Sequence, residues 1–182
     1  MKESPLAPAL LVAMPQLADP NFHRTAVLLV EHGEEGTFGL VLNRPTPLLA
    51  SELCGGLDIE WRGAAETRVC SGGPCQPDTG WLLFEGVQSF DAQPVLDGIW
   101  FARSLDVLRR VAQDPPDHAR LFLGYAGWGP GQLQAELAAG SWIVAPAEPG
   151  LLFHQDLDGL WDRVLRGLGI DPATLVQTSG VH

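Results

Sequence analysis

A 182-residue chain that is 46% hydrophobic and 18% charged is long enough to bury a core of its own, so a single domain spanning 1–182 is the expected organisation. Its 22 acidic residues against 11 Lys and Arg, with Lys2 the sole lysine, give a formal charge of −11. That charge argues against direct DNA binding or a membrane surface, because such affinity rests on clustered cations releasing counterions. Cys54, Cys70 and Cys75 are an odd number, and the N-terminal apolar run is broken by prolines; free thiols in a cytoplasmic protein are expected.

Taken in chain order, ALLVAMP (9–15) reads as a strand stopped by proline. TAVLLVEHG and TFGLVLNRP read as a hairpin with a four-residue connection, GEEG, in which Gly33 and Gly36 supply positive φ. Thr46 as a cap and Pro47 at the first helical position predict a short helix directly after Pro45, ending near Cys54-Gly55-Gly56. TRVCSGG, TGWLLFEG and GIWFARS follow as strands. The next helix starts from Ser104 as N-cap, with Asp106 in its first turn and Leu105, Leu108 and Val111 or Ala112 as its buried stripe. Asp114-Pro115-Pro116 ends it.

RLFLGYAGW is a strand that runs into an amphipathic helix with Leu133 and Leu137 inward and Gly140 closing it, and SWIVAPA returns as a strand. Leu160, Trp161, Val164, Leu165 and Leu168 recur at helical spacing before Gly169, and Asp171-Pro172 starts a final turn or helix in DPATLVQT. Strands dominate the first half and alternate with helices in the second. The expected fold is α+β with a mixed, mostly antiparallel sheet and helices packed on it.

Two glycine-rich stretches carry the candidate chemistry. In CSGGPCQPDTG, Cys70 and Cys75 flank Gly72-Gly73-Pro74; no helix N-terminus follows to lower a thiol pKa, and Arg68 is the cation two residues from Cys70 on one strand face. The thiols read as structural, and the glycines as a corner where another backbone comes close. A C-x₄-C spacing with scattered histidines does not assemble a zinc site, so no metal and no cofactor are expected.

GYAGWGPGQL sits between a strand and a helix, where backbone amides bind anions. It lacks the Lys-Ser/Thr of a phosphate loop and the third glycine of a dinucleotide fingerprint, and reads as close packing beside Tyr125 and Trp128. In DPNFHRT, Asp19 is placed to cap a turn and Asn21 to take a left-handed conformation, with His23 and Asp19 as an alternative acid–base pair. No G-x-S-x-G or H-E-x-x-H motif is present. Arg103, Arg109, Arg110, Arg163 and Arg166 fall on predicted helices and read as solvated faces.

Four blocks, MPQLADPNFHRTAVLLVEHGEEGTFGLVLNRP, SGGPCQPDTGWLLF, LGYAGWGPGQLQAEL and SWIVAPA, occur in the order and spacing of the AlgH/YqgE family of bacterial proteins, and the chain resembles that family from about Leu10 to Leu175. The resemblance implies an α+β domain whose bent sheet curls into a partial barrel. It also implies a regulatory role in alginate synthesis, as a transcriptional regulator by family name, without a known reaction. The family's recurrent segments map onto Asp19-Pro20-Asn21-Phe22, Asn43-Arg44-Pro45, Gly72-Gly73-Pro74 and Gly124-Tyr125-Ala126-Gly127-Trp128. Cys75 replaces a small aliphatic residue, and Asp78-Thr79 a Glu-Arg pair, which weakens any chemistry centred on Cys75.

The expected function is a non-catalytic ligand- or protein-binding protein with a regulatory role. Its candidate site residues are Asp19, Asn21, Asn43, Arg44, Gly72, Gly73, Tyr125, Gly127 and Trp128. The alternative is an enzyme that holds a small anionic substrate on Arg44, with Asp19 or His23 moving protons. The expected partner is a small molecule or a protein, with a homo-oligomer as a further possibility.

Overall fold

A computed structural model describes residues 6–86 and 91–174. In chain order the elements are β1 (Ala9–Ala13), β2 (Ala26–Gly33), β3 (Gly36–Val41), β4 (Pro45–Leu49), α1 (Ala50–Gly55), β5 (Arg68–Ser71), β6 (Cys75–Glu85), β7 (Ala92–Leu96) and β8 (Ile99–Ala102). They continue with α2 (Leu105–Gln113), β9 (Ala119–Trp128), α3 (Gln132–Ala138), β10 (Trp142–Ala145), α4 (Pro149–Leu152) and α5 (Leu160–Gly167). The fold is α+β, and its described strand pairs are antiparallel except β5 with β9. The chain divides into two compact units, residues 1–43 with 126–182, and residues 44–125.

In the first unit the strands run β10-β1-β2-β3, followed by the last three residues of β9, Ala126 to Trp128, paired with β3. All five residues of β1 are buried, which fits its unbroken apolar sequence: a central strand covered on both faces needs no polar alternation. One face packs Leu11, Ala13, Val27, Leu29 and Val41 against Trp128, Leu133 and Trp142. On α5, Leu160, Trp161, Val164 and Leu165 are buried where the helix packs on β1 and β2, and the Trp161 indole donates to the Ala13 carbonyl at 2.7 Å.

In the second unit the order is β4-β5-β9-β6-β8-β7. Its core joins Ala50 and Cys54 of α1, Val69, Leu82, Phe84, Ala102 and Leu121 from the strands, and Val107, Val111 and Ala112 of α2. The α2 helix starts as its sequence predicts, with the Ser104 Oγ accepting from the Asp106 and Val107 amides.

Several local expectations are corrected. The β2–β3 connection has two residues, Glu34 and Glu35, because Gly33 pairs with Gly36; Gly36 takes positive φ and Gly33 does not. The segment after Arg44 forms β4 before any helix. The Thr46 hydroxyl donates to the Val69 carbonyl at 2.6 Å across that strand pair instead of capping, and α1 begins only at Ala50. On α2 it is Val107, not Leu105, that joins Val111 and Ala112 inside, and Leu105 is 49% exposed. β7 and α4 are additional elements. The end of DPATLVQT, from residue 175, lies outside the described residues.

Candidate functional site

The two glycine stretches meet in the second unit. Gly124 stands inside β9 rather than at a corner, with φ +79°, and a Cβ there would overlap the Gly73 carbonyl oxygen and lie 3.2 Å from that of Cys75. The Gly72 amide donates to the Leu123 carbonyl at 2.8 Å, and Cys75 lies opposite Tyr125 in the β6–β9 pair. Backbone proximity therefore accounts for glycine at 124: no side chain fits between these segments.

The Cys70 thiol beside this contact is not activated. Cys70 is buried, and burial pushes its thiol above the ordinary range, against the opposing charge and hydrogen bond of Arg120. The cation beside Cys70 is thus Arg120 of β9 rather than Arg68, and its own guanidinium is pushed down by burial. Burial also raises the Cys54 thiol. A raised thiol stays protonated at neutral pH and is a poor nucleophile.

The other sequence candidates have identifiable backbone partners. Asp19 closes a turn, its Oδ1 accepting from the Asn21 amide at 2.8 Å and its carbonyl from the amides of Phe22 and His23. His23 Nδ1 lies 2.9 Å from the Leu17 carbonyl, so it is the donor there. The left-handed residue of this turn is Arg24, with φ 54°, not Asn21. Buried Asn43 holds that geometry: its Oδ1 accepts from the Ala26 amide at 3.1 Å and its Nδ2 donates to the Arg24 carbonyl at 2.9 Å. The Arg24 guanidinium lies 5.2 Å from the centre of the Trp161 ring.

Arg44 is half-buried, and its carbonyl accepts from the Ser71 amide. Gly127 pairs opposite Phe38, and Trp128 packs with Phe22 and Trp142. The indoles of Trp128 and Trp142 both donate to the Glu136 Oε1. At the start of α3 the Gly129 amide is taken by the Gln132 Oε1, so this glycine turn is capped by its own helix. Asp19, Asn21, Asn43, Gly127 and Trp128 belong to the first unit, and Arg44, Gly72, Gly73 and Tyr125 to the second.

A cavity of about 240 Å³ lies wholly within the second unit, between α1, α2 and strands β6, β8 and β9. Leu53, Leu57, Leu105, Leu108, Leu121 and Phe122 line it, with Trp81 and Leu123. Leu57 and Leu105, 38% and 49% exposed, are large apolar side chains left at its edge. Trp81 is fixed by stacking on Phe101 at 5.3 Å and by the edge-on ring of Tyr125 at 6.0 Å. Three polar side chains line it: Asp78, Arg103 and Ser104. Ser104 is already occupied in capping α2.

None of the nine sequence candidates lines this cavity. Its lining comes from five elements, and the sequence signal near it is the Ser104 cap, since Leu105 reads there as part of the helix's buried stripe. Among the described residues no group of three or more His, Cys, Asp or Glu is gathered as for a metal ion, and no helix is long and apolar enough to cross a membrane.

The AlgH-like family model matches residues 10–173. The chain belongs to the AlgH-like family. A UPF0301 protein of Myxococcus xanthus is 44% identical over 178 residues, covering 97% of this chain and 98% of that protein. One from Ruegeria pomeroyi is 40% identical, over 94% and 96%. The solution structure of the AlgH protein of Pseudomonas aeruginosa aligns with a TM-score of 0.77 at 35% identity, over 97% of each chain. A crystal structure of a Corynebacterium diphtheriae protein aligns at 0.76 with 25% identity, over 92% of this chain and 89% of that one.

Proposed function

We propose that this AlgH-like protein is a binding protein, not an enzyme, and that it takes a small amphiphile into the α1–α2 cavity, with occupancy serving a regulatory role. The observation that carries this reading is the cavity's composition: an apolar wall with polar groups confined to Asp78, Arg103 and Ser104. That is the usual make-up of a small-molecule site, where burial supplies affinity and a few polar groups fix orientation. The backbone bonds of the Asp19 and Asn43 side chains, and the raised thiols of Cys54 and Cys70, favour binding over catalysis.

Titration with straight-chain carboxylates tests the reading. Each methylene moved from water into the cavity contributes ~0.8 kcal/mol, about a fourfold gain in affinity. Octanoate should therefore bind more tightly than hexanoate by roughly an order of magnitude. Leu105→Asp removes an apolar wall at an exposed helix start that tolerates an acid, so it should weaken both without unfolding the protein. Affinity that ignores chain length, or is unchanged in Leu105→Asp, contradicts the proposal.

A further inference from the structure

Two opposite charges line this one small cavity, Asp78 and Arg103. Asp78 is carried there by an irregularity in β6: Cys75 pairs with Tyr125 and Gly80 with Leu123, so β6 advances five residues while β9 advances two. The excess chain forms a bulge, in which Gln76 has φ 42° and the Thr79 hydroxyl donates to the Gln76 Oε1 at 3.2 Å. Bulges of this kind re-aim a side chain. Arg103 precedes α2, at the end of β8.

Neither charged side chain has an ion pair or side-chain hydrogen bond among the described residues, so both remain available to a ligand. A simple carboxylate would satisfy Arg103 but face Asp78 and a chain of net charge −11. A simple amine would satisfy Asp78 and meet Arg103. A molecule carrying both charges beside an apolar body satisfies each group and leaves the wall to the hydrocarbon.

We propose that the ligand class is a free α-amino acid with a large apolar side chain, its ammonium on Asp78 and its carboxylate on Arg103. This rests on the small-amphiphile reading and narrows it.

Three eight-carbon probes separate the two readings: octanoate, octylamine and 2-aminooctanoate, titrated by calorimetry into the wild-type protein, Asp78→Asn and Arg103→Gln. Both charged groups are exposed, so the gain expected from each matched pair is modest, about fivefold. 2-Aminooctanoate should bind about fivefold more tightly than either singly charged probe. Asp78→Asn should erase its advantage over octanoate, and Arg103→Gln its advantage over octylamine. Octanoate or octylamine matching the amino acid in the wild-type protein overturns this inference and leaves the amphiphile reading standing. Binding of none of the three overturns both.

Discussion

Alanine at position 124 tests whether the two glycine stretches are held together by backbone proximity. Gly124 has φ +79°, and its missing Cβ would overlap the Gly73 carbonyl oxygen. The left-handed conformation alone costs an alanine roughly 1–2 kcal/mol, and overpacking a fixed site adds roughly 1–3 kcal/mol. The relief that flexible side chains provide is absent, because the three nearest atoms, on Gly73, Cys75 and Pro77, are all backbone. Gly124→Ala should therefore lose about 3 kcal/mol, a fall in Tm of about 9 °C for a chain of this size.

Gly98→Ala is the matched control. It has φ +77° with nothing within 4 Å among the described residues, so it carries only the conformational cost, about 1 kcal/mol and about 3 °C. Urea and thermal denaturation of both variants read the difference. Equal losses would refute the close-approach argument, since they would leave conformation as the whole effect.

Asn43→Ala strands the Ala26 amide and the Arg24 carbonyl, each of which costs roughly 1–3 kcal/mol when left unsatisfied. Urea denaturation should show a loss of about 3 kcal/mol; a loss below about 0.5 kcal/mol would contradict the clamp. The thiols predict a pH dependence: Cys54 and Cys70 have raised pKa in the folded protein, so the folded state holds protons that the unfolded state releases above ~8.5. Stability attributable to them is complete below that pH and falls as pH rises through the folded values, with a shallower fall in Cys70→Ala. Stability that rises over this window would be the wrong sign. Under native conditions iodoacetamide should modify half-buried Cys75 before buried Cys70, a mass-spectrometric order that is reversed if Cys70 is activated.

Much of the fold is legible because local chemistry and tertiary context agree. The Ser104 cap, the apolar β1 and the α5 periodicity each survive folding unchanged. Thr46-Pro47 fails as a helix start because this segment pairs with β5, where the Thr46 hydroxyl donates to the Val69 carbonyl, a partner 23 residues away that no local pattern reveals. β7 is hidden by Pro94, tolerated because this is an edge strand; the Asp97-Gly98 turn before β8 was the usable signal.

The sequence candidates lie in polar and glycine motifs, and several of those motifs serve the backbone. Asn43 holds a left-handed Arg24, and Gly124 makes room for Gly73. The cavity is invisible to such motifs because its walls are ordinary leucines on separate elements. Leu105 and Leu57 become informative only when their exposure beside the cavity is known.

Whether this cavity takes an apolar ligand is decided by amide chemical-shift mapping of the ¹⁵N-labelled protein during an octanoate titration. Saturable shifts concentrated at residues 80–82, 102–105 and 121–123 are expected, weakened in Leu105→Asp. Saturable shifts confined to the Asp19–Arg24 turn, or none that saturate, would contradict the proposal.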